Sequence, residues 1–402
     1  MCYKTLVLSG GGTKGILHLG AIYYLEENNL ANFDTYIGTS VGSLIAGLLA
    51  VGYTAIDLFQ FILHFDMKIL KNFNLSNLLT GNGLDDGRVI MFVFKKLIEK
   101  KIGNSEITFK QLYDEHKKTL IICATCLNDG IPHYFNYKNN PNMPICLAVR
   151  MSMAIPYIFT SVSYNDLLFT DGGLVDNYPI EQTDNINTTI GIYLNGTKKY
   201  TKINNLEEFT LSIFSCLLIT SGKNASKYKE NTINIPTNDI GVINFNMSKM
   251  ERIVLFKIGH EHSKNYTNKF KLLIDKEHDE HEEINKYINK QIENDISSDE
   301  NNKTNKIEND ISSDENNKTN KIENDILDKA SDENNKTNKI ENDILDKVSD
   351  ENEKTNKIEN DILDKVSNKN EKIEKDEDSK ALITKYENLF IDIEDDISDD
   401  EN

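Results

Sequence analysis

The chain of 402 residues lacks any apolar run approaching the ~20 residues that a membrane-spanning helix needs. Its longest stretch of that kind, Leu211 to Thr220, is about half as long, and an integral membrane protein of the helical type is not expected. A secretory leader is also lacking, because Met1-Cys2-Tyr3-Lys4 runs straight into a strand pattern. The expectation is a protein that is not secreted, cytoplasmic and able to sit at the periphery of membranes. Cysteine is scarce and odd in number, five in all, which excludes a disulfide framework and points to free thiols in a reducing compartment. Cys123 and Cys126 have redox or zinc spacing. They end a strand-like run, however, where residues three apart face opposite sides, so they read as two buried thiols and no metal is expected.

Charge is distributed unevenly. Residues 1–270 carry 25 Lys+Arg and 23 Asp+Glu, a balance of +2, and residues 271–402 carry 20 and 41, a balance of −21, together giving the net −19. The front part therefore can approach an anionic surface, and the acidity belongs to the tail. Nothing in this balance suggests nucleic acid as a partner. Ile-Glu-Asn-Asp-Ile recurs in the tail from Ile292, Ile307, Ile322, Ile340 and Ile358. Each repeat unit holds too few apolar residues to offset chain ordering, so residues 276–402 read as an acidic, disordered repeat tail able to tether basic partners. The short island Ala381 to Ile393 can dock on a partner. Residues 5–184 and 185–275 make up the globular part, the second holding a strand and closing helices.

The most informative stretch is Thr35-Tyr36-Ile37-Gly38-Thr39-Ser40-Val41-Gly42. An apolar, β-prone run stops at Gly-x-Ser-x-Gly and a helix-like run begins at once, the strand–turn–helix context of a nucleophile elbow. Gly38 and Gly42 are needed because side chains flanking so tight a turn collide with neighbouring backbone. Ser40 is the candidate nucleophile; the plain alternative is a chance match in an ordinary αβ turn.

The first strand pattern, Thr5 to Ser9, leads into Gly10-Gly11-Gly12-Thr13-Lys14-Gly15 and then a helix over Ile16 to Glu27. Unpaired N–H groups collect at such a helix start and favour negative charge. The loop also fits Gly-x-Gly-x-x-Gly. A dinucleotide site would need an acidic residue at the end of the second strand, where Gly38-Thr39-Ser40 stand instead. A P-loop would need Lys-Ser/Thr after Gly15, where Ile16 stands. The task left for these N–H groups is to hold an oxyanion beside the serine.

Further along, Thr54 to Phe65, Gly87 to Lys100, Ile145 to Ala154 and Lys249 to Leu273 read as helices. Leu120 to Cys126, His133 to Tyr137, Ser161 to Tyr164, Leu167 to Thr170 and Thr188 to Leu194 read as strands. Asp85-Asp86 precede a helix and read as caps rather than a metal pair. Leu206 to Thr220 is mostly apolar, fits either core or a lipid-facing surface, and is read as core.

A serine nucleophile needs a base. The usual histidine is hard to find: His260 and His262 lie in a charged, solvated-looking segment, and His18 looks like packing. An aspartate serves if burial raises its pKa, and Asp171, at a strand end before Gly172 and Gly173, is the best placed.

These motifs, in order, resemble the patatin-like phospholipase family: Gly-Gly-Gly-x-Lys-Gly after the first strand, Gly-Thr-Ser-Val-Gly after the second, then Asp171-Gly-Gly-Leu-Val-Asp-Asn177-Tyr-Pro179. Ala148 to Phe159, rich in alanine and serine around Pro156, resembles the family too. The likeness covers Leu6 to Asp184, with Lys14 where the family often has arginine, which keeps the charge and loses the planar fork. It implies an α/β fold, a three-layer α/β/α patatin-like sandwich. It also implies a Ser40–Asp171 dyad with the Gly10–Gly15 loop as oxyanion hole, and no cofactor. The expected activity is metal-independent hydrolysis of fatty acyl esters through an acyl-enzyme, on lipid at a membrane or lipid-droplet surface. A non-catalytic lipid- or partner-binding protein that keeps the fold is the alternative.

Overall fold

The computed structural model describes residues 2–269, apart from 71–76, 78–81, 197–201, 205, 238–240 and 242. The repeat tail, the island at 381–393 and the expected end of the closing helix at Leu273 lie outside the described residues.

Strand β1 (Tyr3–Leu8) sits centrally because its side chains are apolar in both directions. Leu6 and Leu8 enter the main core on one side of the sheet, and Val7 enters a smaller core with Ile37, Tyr178 and Tyr193 on the other. Around it the sheet runs β10-β9-β1-β2-β4-β8-β7. The partners are β2 (Ala31–Thr39), β4 (Thr119–Cys126), β7 (Val162–Tyr164), β8 (Leu167–Asp171), β9 (Thr189–Asn195) and β10 (Thr232–Pro236). Strands β10, β9, β1, β2 and β4 are parallel, whereas β8 pairs antiparallel with β4 and β7 antiparallel with β8, and β5 (Pro132–Phe135) pairs antiparallel with β4. The sheet is therefore mixed, in an α/β fold. A separate parallel pair joins β3 (Gly83–Asp85) to β6 (Tyr157–Phe159).

Helices α1 (Ile16–Glu27), α2 (Val41–Ala50), α3 (Ala55–His64), α4 (Arg88–Ile102), α5 (Phe109–His116) and α6 (Ile145–Ser152) contribute to the main core. The other face is covered by shorter pieces, including Tyr178, Ile180, Ala225 and Tyr228. Helix α8, residues 249–269, crosses α1 at two glycines. A Cβ on Gly20 would lie 1.8 Å from Phe256 O, and one on Gly259 would lie 2.0 Å from Leu17 O. Only glycine permits that approach. The closing helix is less solvated than its charges suggest. Arg252 is buried and donates to Ile62 O, Phe65 O and Met247 O, and the imidazole of His260 lies 2.7 Å from a carboxylate oxygen of Glu27.

Several elements depart from the sequence expectation. Helix α5 and strands β3, β6 and β10 are additional. Helix α7 (Leu206–Ser221) is not wholly core: Phe214 and Leu218 are buried, but Phe209, Ile213 and Leu217 face solvent. A run apolar on all sides gives no periodicity from which the exposed side can be read. Among the described residues no helix is long and apolar enough to cross a membrane.

Candidate active site

Strand register brings the two candidate catalytic residues together. Thr39 on β2 pairs with Cys123 on β4, and the next β4 residue, Ala124, pairs with Asp171 on β8. Ser40 leaves β2 at this level, and its hydroxyl donates to Asp171 Oδ2 at 2.7 Å. Ser40 has φ +55° and ψ −128°, a sparsely populated conformation for a residue with a side chain. The turn is held on every side. Ser40 N–H donates to Ser152 Oγ at 2.8 Å, Ser152 Oγ donates to Cys123 O at 2.6 Å, and Ser43 Oγ donates to Ser40 O at 2.6 Å.

Asp171 is fully buried. Its Oδ1 accepts from Gly173 N at 2.8 Å, and its own N–H donates to Ala154 O at 2.9 Å. Burial drives its pKa from 3.8 up to about 7, against the opposing pull of the hydrogen bonds from Ser40 and Gly173. The carboxyl can therefore exchange a proton near neutrality.

The glycine loop runs beside the elbow because β1 and β2 are parallel neighbours with Leu8 opposite Gly38. Gly10 N–H is already given to Asn177 O at 3.2 Å, so within the loop expected to bind an oxyanion Gly10 is occupied. Gly11 and Gly12 N–H have no acceptor among the described residues, and Gly12 has a left-handed φ of +61° that suits glycine. Lys14 is also positioned differently from the loop reading. Its buried ammonium donates to Thr237 Oγ1 at 3.1 Å, just past β10, and desolvation pulls its pKa down to about 8. Gly15 packs against Val41 and Ile45 of α2, and Gly172 against Cys123 O.

Histidine takes no part among these contacts. His18 is buried with an imidazole nitrogen 2.8 Å from Ser9 O, and burial lowers its pKa to about 4. His260 packs against Tyr23, Tyr24 and Glu27. Asp85 and Asp86 bond the entry to α4 without capping it: Asp85 accepts from Gly87 N at 2.7 Å and Asp86 from Arg88 N at 3.1 Å, while the N-cap position is Gly87 and has no side-chain cap bond. Cys123 and Cys126 are buried free thiols. The Cys126, Asp129 and His133 donor atoms lie within 4.8 Å of one another. His133 is already paired with Asp129 at 2.7 Å.

Ser40 lines a cavity whose lining is otherwise almost wholly apolar. Val41, Leu44, Ile45 and Leu48 of α2, Leu58, Phe61 and Ile62 of α3, and Val93, Phe94 and Leu97 of α4 form its walls. The α2 residues recur every three or four positions, so one helix face runs from the serine along the cavity. Sequence reasoning did not find this cavity, the role of Ser152, or Asn177, whose buried Oδ1 has no hydrogen-bond partner among the described residues. Ser152 carried a faint signal as a serine inside an apolar helical segment before Pro156.

Residues 6–184 match the family described as Patatin-like phospholipase. Over 269 residues the chain is 33% identical to the "Probable lipid hydrolase 463L" of Invertebrate iridescent virus 6, covering 64% of this chain and 87% of that protein. It is 25% identical over 188 residues to the "Lysophospholipase NTE1" of Candida albicans, covering 44% of this chain and 12% of that much longer protein. Among solved structures it is similar in fold to VipD from Legionella pneumophila, with a TM-score of 0.50 and 18% identity, covering 66% of this chain and 67% of that one.

Proposed function

Because the chain belongs to the patatin-like phospholipase family, we propose that it is a lipid acyl hydrolase that cleaves fatty acyl esters with a Ser40–Asp171 dyad. The observation that carries this reading is the 2.7 Å hydrogen bond to a buried Asp171 from the Oγ of Ser40, a residue that lines an apolar cavity.

Ser40 Oγ attacks the ester carbonyl as its proton passes to Asp171 Oδ2. A new C–O bond forms to Ser40, and negative charge develops on the carbonyl oxygen. The N–H groups of Gly11 and Gly12, without an acceptor among the described residues, are the donors for that charge, at the start of the helical segment leading into α1. As the tetrahedral intermediate collapses, the bond to the leaving alcohol breaks and Asp171 returns the proton to it. Water then repeats the sequence on the acyl-enzyme. It gives a proton to Asp171, forms the fatty acid, and Ser40 recovers its hydrogen. The acyl chain lies in the cavity along α2, which favours long-chain esters over short ones. No step calls on a metal ion, so activity is expected to survive chelator.

Product analysis on mixed phospholipids tests the proposal. Wild type should release fatty acid, whereas Ser40→Ala and Asp171→Asn should release none while remaining folded by circular dichroism. A fluorophosphonate probe should label Ser40. Turnover by Asp171→Asn at the wild-type rate would remove the dyad. A folded wild type that neither labels nor hydrolyses would leave a lipid- or partner-binding protein.

A further inference from the structure

We propose that the outward face of α7 is the surface by which this protein docks on an anionic lipid bilayer, placing the active site against the membrane. This rests on the acyl hydrolase reading above and names the form in which that site meets its substrate.

From Phe209 to Ser221 helix α7 carries no charged residue. Its inward side is fixed: Phe214 and Leu218, with Leu211, pack against Ile155 and Phe159, two residues that also line the cavity. Among the described residues its outward side has no such cover. Phe209 is 50% exposed, Ile213 48% and Leu217 38%. Spaced by four residues, they form a stripe on one face, roughly 12 Å long at ~1.5 Å per residue. Ile203, exposed just before the helix, adds to it. Single exposed apolar side chains are ordinary on a protein surface, but a contiguous stripe marks a contact face.

The helix that carries the stripe packs by its other side on a catalytic loop. Leu218 packs on Gly173, and Ser221 Oγ donates to Gly173 O at 2.6 Å, two residues from Asp171. At the same end Ile219 and the ammonium of Lys14 both approach Gly196. Val175, in the segment that follows Asp171, is exposed as well. The exposed stripe and the loop that follows Asp171 are thus joined through a single helix.

Charge selects the occupant. Residues 196–230 hold six lysines against three glutamates, an excess of three positive charges. Lys202 and Lys223 flank the helix, exposed and without an ion pair among the described residues. An apolar stripe between lysines suits the boundary of an anionic bilayer, where apolar side chains enter the acyl region and ammonium groups meet headgroups. A second copy of the chain would bring like charge to the same rim.

The test uses the full-length protein and vesicles of ether-linked phosphatidylcholine and phosphatidylserine, which present headgroups but no acyl ester. Wild type should cosediment with these vesicles, less so at high salt. Ile213→Glu and Phe209→Glu should each weaken cosedimentation roughly tenfold or more. Both should hydrolyse a water-soluble short-chain ester at the wild-type rate. Ile213→Ser, read together with thermal melting, guards against a folding defect in the glutamate variants. Wild-type vesicle binding by folded variants would overturn the docking surface. So would a wild type that ignores vesicles and is a dimer in sedimentation that Ile213→Glu converts to monomer. Vesicle binding lost in the variants while no ester is turned over even by wild type would retain the surface and sink the hydrolase.

Discussion

The α-carbon of Gly38 faces the carbonyl of Gly42 so closely that a Cβ on Gly38 would lie 2.4 Å from that oxygen. A Cβ on Gly42 would in turn lie 2.5 Å from Leu8 O and 2.6 Å from Ser9 O, the end of β1. Each obstacle is backbone and cannot rotate aside. The two glycines therefore let the elbow close on itself and seat it against the strand that carries the oxyanion loop.

Gly42→Ala should consequently separate the elbow from β1. The expected cost is about 1–3 kcal/mol of stability, as for other overpacked interior sites, read from the denaturant midpoint. Ester hydrolysis should fall far more than stability does, because the distance between Ser40 and the N–H groups of Gly11 and Gly12 changes directly. A folded Gly42→Ala protein with wild-type kcat would mean that the loop and the serine do not act together.

The pH dependence should report a carboxylate in place of an imidazole. Asp171 must be ionised to accept the serine proton, and its pKa is held at about 7 by burial. On a soluble ester kcat/KM should rise with pH through a limb near neutrality. Stability should move the other way. With the folded pKa above the unfolded value of 3.8, the folded state binds the extra proton between them. The group's contribution is thus whole below about pH 4 and is lost as pH climbs through about 7. Asp171→Asn should remove that loss, melting higher than wild type at pH 8 while being inactive. Wild type and variant with parallel stability profiles across this window would contradict the assignment.

Ser152 should act through the backbone of the nucleophile. It accepts from Ser40 N–H and donates to Cys123 O, so it ties the strained turn to β4. Ser152→Ala leaves a buried N–H and a buried carbonyl short of a partner, at about 1–3 kcal/mol for an unsatisfied group. If Ser152 positions Ser40, kcat should drop at least tenfold with KM nearly unchanged, and Ser152→Thr should restore part of it. A variant that is merely less stable, with normal kcat in the folded fraction, would reduce Ser152 to a packing role.

The elbow, the glycine loop and Asp171 were legible in the sequence because each is a local pattern with a backbone reason behind it. A Gly-x-Ser-x-Gly turn between a β-prone run and a helical run admits few structures. The fold was implied by the family resemblance that those ordered motifs carry. What stayed hidden depends on distant partners. Strand β10 is short and half polar at Thr232 and Asn234, and only its parallel pairing with β9 makes it a strand. Lys14 was read with its own loop, yet its ammonium bonds Thr237, 223 positions away. The outward side of α7 could not be told from its inward side, since both are apolar. Helix α5 was within reach: Thr108 and Gln111 form a capping box, bonded in both directions, and the Thr-x-x-Gln spacing announces it.

The cavity gives the last prediction, since its shape should set which acyl chains are cleaved. One face of α2 carries Val41, Leu44, Ile45 and Leu48 along the cavity from Ser40. Leu48 lies eight residues beyond the serine, roughly 12 Å along the helix at ~1.5 Å per residue. It is buried, and Leu58, Phe61 and Phe94 line the same space. Leu48→Phe adds volume at that depth without touching Ser40 or Asp171. An acyl chain that ends short of residue 48 should not feel the change, and a longer one must bend or withdraw its ester from the serine. Across a series of esters differing only in chain length, kcat/KM should be unchanged for the shortest and fall progressively for the longer members. An equal loss at every length would show that the substitution disturbs the elbow through α2, and an unchanged series would mean that the chain takes another path from Ser40.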